Sequence, residues 1–168
     1  MTISMYSASA PRFVNMLRNL DAILAKAQAN AVARKIDPGV LLAARLAPDM
    51  FPLLKQVQIA CDHAKGAAAR LAGVEVPKYE DSEQSFEDLR ARIARTMAFV
   101  ESFQAGQIDG SEEREIALKA GGREMSFKGM QYLLGYALPN FYFHLVTAYN
   151  ILRHNGVDIG KRDYIGNP

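Results

Sequence analysis

Residues 141–156 read FYFHLVTAYNILRHNG, and they set the architecture. Phe141, Leu145, Ala148 and Leu152 recur at steps of four, three and four, which lines them up on one side of an α-helix. Leu134 and Leu138 extend that stripe backwards, while Tyr136, Asn140, His144 and Thr147 stack on the face beside it. Gly156 follows as a left-handed stop, and Arg153 and His154 occupy the last turn, where positive charge suits the helix dipole. The spacing predicts a helix from about Phe127 to Asn155, apolar on one side only, which must bury that side against other helices.

Just before it the period changes to two. Ile116 and Leu118 alternate with charged neighbours, AGG follows at 120–122, and Met125 and Phe127 alternate again, which predicts a small β-hairpin. Further back, Phe86, Leu89, Ile93, Met97 and Val100 form the apolar face of a third helix, opened by a Ser85–Asp88 capping box and closed between Gly106 and Gly110. A second helix is expected from about Asp49 to Ala72, with Leu53, Leu54, Val57, Cys61, Ala64, Ala68 and Leu71 inside and Gly73 as its stop. Pro48 and Pro52 then fall around its first turn, and its alanine-rich end, GAAARLAG, lets a neighbour approach closely. Phe13, Leu17, Leu20, Ile23, Leu24 and Ala27 give the first helix, starting at Ser9–Pro11 or nearer Ser4 and fading at Arg34 to Ile36. Asp37 caps a short helical turn in the connector.

Four long amphipathic helices make an all-α four-helix bundle with a small hairpin before the last helix, expected as a single domain over residues 1–168. Val157, Ile159, Tyr164 and Ile165 in the tail are expected to anchor it to the bundle.

Composition narrows the function classes. Twenty basic against eighteen acidic residues leave a formal net charge of +2, with no massed cations, which argues against nucleic acid as a partner. The nearest approach to a basic stripe, Arg90, Arg92 and Arg95, has Glu87, Asp88 and Glu101 close by and reads as a solvated helix face. No run of eighteen apolar residues offers a membrane span, a single cysteine forbids an intrachain disulfide, and MTISMYSASAPRF has no export-signal pattern, so a cytoplasmic location is expected. H-E-x-x-H, paired C-x-x-C, G-x-S-x-G, the phosphate loop and G-x-G-x-x-G are all absent.

Any chemistry must therefore come from polar groups that the stripes turn inward. His144 sits at the edge of the core, either hydrogen-bonded to a carbonyl or carboxylate or serving as a ligand or base. His154, ten residues on, lies about 15 Å further along the axis, too far to share a metal ion with it. Asp62 and His63 point about 100° apart. Gln58 and Asp62, one turn apart, can face a common partner, Asp62 pairing with Lys65 or with an arginine of another helix. His63 is expected to be exposed.

The blocks RLAPDMFPLLKQVQIACDHAKGAAARLAG (45–73), PNFYFHLVTAYNILRHNG (139–156) and DIGKRDYIG (158–166) resemble a bacterial family of unknown function in the DinB/YfiT-like superfamily. The resemblance implies a four-helix bundle, often a homodimer. Better-known superfamily members carry a divalent metal on three histidines and include thiol-dependent transferases and isomerases. The superfamily pattern sets two histidines four apart ahead of a Leu-Arg pair. With Leu152 and Arg153 fixing the register, His144 matches the second and Asn140 stands in place of the first. Gln58 takes the place of the third, on the second helix. The resemblance thus implies a polar pocket of His144, Asn140, Gln58, Asp62 and Tyr136 where a metal once sat. If Zn²⁺ or Ni²⁺ were still held, His144, Asp62 and His63 would be its donors.

Three readings follow: a module that binds a small molecule or partner through this pocket, a metal- or thiol-dependent transferase or isomerase of DinB type, and a purely structural dimer.

Overall fold

Each helical stripe read above has a buried counterpart in the computed structural model, which describes residues 3–167. The chain opens with a short helix α1 (Met5–Ala8), capped by Ser4, and runs into α2 (Ala10–Ala33). Both suggested starts are used because Ser9 breaks the helix between them. Its hydroxyl donates to the Met5 carbonyl at 2.6 Å and so does not cap α2. Asp37 caps α3 (Pro38–Ala43) by accepting from the Gly39 amide.

The second long helix, α4 (Leu53–Ala72), starts later than the expected Asp49. Pro52 is its N-cap in extended conformation and Pro48 lies wholly outside: the Pro52 ring disfavours α backbone at Phe51 before it, so a helix cannot run through from Asp49. Gly73, at φ 73°, closes it in the left-handed region. After the crossing loop comes α5 (Phe86–Glu101), with the Ser85–Asp88 capping box in place. Gly106 does not bracket its end but lies inside another short helix, α6 (Ala105–Ile108).

Strands β1 (Glu115–Ala120) and β2 (Arg123–Lys128) pair antiparallel, Ile116 opposite Phe127 and Leu118 opposite Met125. Gly121 and Gly122 both have positive φ, as a two-residue hairpin turn of matching twist requires.

The final helix differs most from expectation. It begins with α7 (Gly129–Tyr132), not at Phe127, passes through a π-helical segment at Leu133–Ala137, and continues as α8 (Leu138–His154). Pro139 explains the irregularity: it has no N–H for the Gly135 carbonyl four residues back, and its ring would strike that carbonyl in a regular α-turn. Leu134, placed on the apolar stripe by uninterrupted α-periodicity, is 55% exposed because the wider turn rotates it outward. Gly156, at φ 83°, ends α8 as read.

The four longest helices pack around one continuous core: α4 lies against α5 and α8, and α2 against α5 and α8. The α4–α8 contact is extensive because Ala60, Ala64, Ala67 and Ala68 are fully buried and present little bulk. The tail buries Val157 and Ile159, then docks a short helix α9 (Lys161–Ile165) on α2. Asn19 donates to the carbonyls of Tyr164 and Ile165, and Lys26 pairs with Asp163. The Ile165 side chain itself remains exposed. Among the described residues, no helix is long and apolar enough to cross a membrane.

Candidate functional site

Helix α4 carries two polar stripes. Gln56 and His63, seven residues apart, share the face toward α8, whereas Gln58, Asp62 and Lys65 share the face toward α5 and the crossing loop. This division decides which candidates meet.

On the first face, His144 of α8 is buried, and its Nδ1 lies 2.7 Å from Gln56 Oε1. Gln56 Nε2 donates to the Phe51 carbonyl at 3.0 Å, which turns the amide oxygen toward the imidazole. An acceptor opposite Nδ1 places the ring hydrogen on Nδ1 and leaves the Nε2 lone pair bare. The His63 ring stacks on His144 with centroids 5.7 Å apart and planes 16° from parallel, and meets Tyr136 edge-on at 5.8 Å. Tyr136 in turn stacks against Tyr132, whose hydroxyl accepts from Arg70 at 3.1 Å. A row of rings thus runs along the α4–α8 seam, ending on a cation.

His63 is therefore half-buried at the seam, contrary to the expected exposure, because α8 covers the face of α4 that it shares with Gln56. Burial, then the neighbouring His144 and Arg70, push its pKa from 6.5 down to about 4, against a smaller opposing pull from Asp62. Burial lowers that of His144 as well. The unfolded chain takes up these protons as pH falls through about 6.5, the folded chain only lower down, so the unfolded state binds more protons in between. Stability should be undiminished above pH 6.5 and should fall by about 2 kcal/mol toward pH 4, after discount for the partly exposed ring. His63→Phe should flatten that slope in urea titrations run at a series of pH values. An equally steep profile in the variant would show that other groups set it.

The second face carries different chemistry. Gln58, expected beside His144, points away and donates to Glu83 Oε2 at 2.7 Å. Asp62 pairs with Lys65 and with Arg92 Nη2, the latter at 2.9 Å. Asn140, half-buried on α8, donates to its own helix at the Tyr136 carbonyl, 2.7 Å away, and contributes nothing to His144. His154 is exposed in the last turn. Of the expected pocket, only His144 and Tyr136 are brought together, with His63 between them. Gln56 was not singled out from the sequence, although its seven-residue spacing from His63 was the available signal.

Cys61 is fully buried, which pushes its thiol up to about 12 and keeps it from solvent. The fit to a three-histidine metal centre is also poor. Two imidazoles are present, but they face each other as stacked rings, whereas their lone pairs lie in the ring planes. Asn140, in place of the first histidine, has its amide spent on the backbone; Gln58, in place of the third, is turned to Glu83; and the Asp62 carboxylate is spent on Arg92 and Lys65 on the other face. Among the described residues, no three His, Cys, Asp or Glu side chains converge as a metal site would need.

With this geometry in hand, relatives place the chain. No curated protein matches it. A crystal structure of a DinB family member protein from Shewanella denitrificans superposes with a TM-score of 0.87 at 43% identity, covering 97% of this chain and 92% of that one. A family model described as a domain of unknown function, DUF1993, matches residues 5–165. The chain belongs to that DinB-like family of unknown function.

Proposed function

We propose that the protein is a single-domain, cytoplasmic four-helix bundle that binds a small molecule at the α4–α8 seam without a resident metal. The observation that carries this reading is the 2.7 Å contact between His144 Nδ1 and Gln56 Oε1: with the Gln56 amide turned by Phe51, it assigns the ring hydrogen to Nδ1 and leaves Nε2 as an acceptor near the His63 ring. Such a site suits a neutral ligand that offers one hydrogen-bond donor and a flat apolar surface.

Untagged protein purified without chelator should hold well below one equivalent of Zn²⁺, Ni²⁺ or Mn²⁺ by elemental analysis, since two poorly aligned imidazoles retain metal weakly. His144→Ala should cost about 1–3 kcal/mol by stranding Gln56 Oε1, and should abolish ligand-induced shifts of the His63 ring resonances. Full metal occupancy that disappears in the His144 variant would replace this reading with a DinB-type transferase or isomerase. One feature favours that alternative: an imidazole held at Nδ1 by an amide oxygen is supported as a metal-ligating histidine commonly is.

Homodimer formation is the second part of the proposal. Pro139, Phe143 and Val146 lie on one outward face of α8 at helical spacing, with Phe143 53% and Val146 38% exposed. Light scattering should give twice the chain mass, and Phe143→Glu should halve it. A monomer at every concentration tested would remove this part and leave the seam reading untouched.

A further inference from the structure

The crossing loop and α5 border an open-mouthed cavity of about 500 Å³, lined largely by exposed residues, on the side of α4 away from His144. Its walls come from Lys78 to Asp88 and from Ala91, Arg92 and Arg95 of the stretch RARIAR (90–95), which reads as a solvated basic stripe but folds otherwise. Arg90 pairs outward with Asp21. Arg92 is buried, its side chain 2% exposed, because three carboxylates converge on it: Asp62, Asp81 and Glu83, at 2.9, 3.1 and 3.0 Å. It also donates to the Glu80 carbonyl, while its Nε, equally buried, has no partner among the described residues. The guanidinium of Arg95 lies over the Tyr79 ring, 4.0 Å from its centroid, with Lys65 and Arg92 also packed on that ring.

Charges around the cavity divide into spent and unspent ones. Arg92 and Glu83 satisfy each other, and Asp88 accepts from the backbone amides of Gln84 and Ser85. Lys78 and Arg95, the carboxylate of Glu80 and the hydroxyl of Ser82 line the same space with no ion pair or side-chain hydrogen bond among the described residues. Two cations, Lys78 and Arg95, and two carboxylates, Glu80 and Asp88, thus have no ion partner among the described residues around a volume within the roughly 300–1,000 Å³ usual for small-molecule sites. Of the two carboxylates, Asp88 is already held by backbone amides.

We propose that this cavity binds a small α-amino acid, acidic ones best, with its carboxylates on Lys78 and Arg95 and its ammonium on Glu80. The ligand's two carboxylates answer the two cations, and its ammonium answers Glu80, the lining carboxylate with no hydrogen bond of its own among the described residues. The guanidinium of Arg95 is held over Tyr79, so its position is restricted before the ligand arrives and less order has to be gained on binding. The buried Arg92 network fixes the loop that carries Lys78 and Glu80, which makes the walls rigid.

The test is an amide NMR titration of the full chain with L-glutamate, N-acetyl-L-glutamate and inorganic phosphate. Glutamate is expected to shift residues 78–83 and 88–95 saturably at millimolar concentration. Acetylation removes the ammonium and should weaken binding about tenfold, and phosphate should be weaker still. Glu80→Gln and Lys78→Gln break no ion pair in the fold, so each should keep the far-ultraviolet spectrum and lose about tenfold in affinity for glutamate. No saturable shift with glutamate would overturn the proposal. Equal binding of phosphate or of the acetylated compound would also overturn it, reducing the cavity to a general anion patch, as would unchanged affinity in both variants. Either result leaves the His144 seam unaffected, because none of its residues lines this cavity.

Discussion

Arg92→Ala is expected to lower unfolding free energy by about 3 kcal/mol, the low end of what removal of one partner from a buried ion pair costs. Four acceptors then lose their donor at once: the Glu80 carbonyl and the carboxylates of Asp62, Asp81 and Glu83. The loss is not uniform. Asp62 and Asp81 are 40% and 41% exposed and keep Lys65 and Lys55, so water and those lysines take up much of their charge. Glu83 is only 11% exposed and retains Gln58 alone, which leaves a nearly buried carboxylate on one neutral donor. Arg92→Lys should recover little, because one ammonium cannot reach acceptors spread around a planar fork. Urea denaturation measures both, and a loss under about 1 kcal/mol for the alanine variant would show that the network does not hold the crossing loop.

Gly129→Ala should cost about 3 kcal/mol, although alanine is ordinarily the better helix former by about 1 kcal/mol. Gly129 is the first residue of α7 and lies where the turn after α6 crosses it. A Cβ there would overlap the carbonyl oxygen of Ser111, a backbone atom that cannot swing aside as a side chain can. The next amide, of Met130, donates to the Glu112 carbonyl at 2.9 Å and ties the crossing in place, so relief would break that bond. Gly135→Ala provides the contrast: nothing lies within 4 Å of its added carbon, and the same substitution there should be neutral or stabilising by a few tenths of a kcal/mol. Thermal unfolding should therefore show a clear drop in midpoint for Gly129→Ala and none for Gly135→Ala. Equal midpoints would mean that the crossing is loose.

Local chemistry was enough for the elements themselves. The 3.6-residue period of Phe13, Leu17, Leu20, Ile23 and Leu24 marks a buried face whatever it packs against, and all five are buried. Ser85 with Asp88, Gly73, Gly156 and the Gly121–Gly122 turn act through backbone geometry within a few residues, so the sequence alone determined them. The family resemblance likewise rests on contiguous blocks and is upheld by the match over residues 5–165. What surrounds each polar side chain is a different matter. The sequence put Asp62 and His63 about 100° apart on α4 without saying which faces α8, and only helix packing turned Gln56 and His63 toward His144 and Gln58 toward Glu83. Arg92 reads as one more surface arginine until Asp62, Asp81 and Glu83, none beside it in sequence, close around it. A helical period fixes directions around one axis. Burial of a charge and the meeting of two rings depend on groups brought from other elements, and those only the tertiary structure decided.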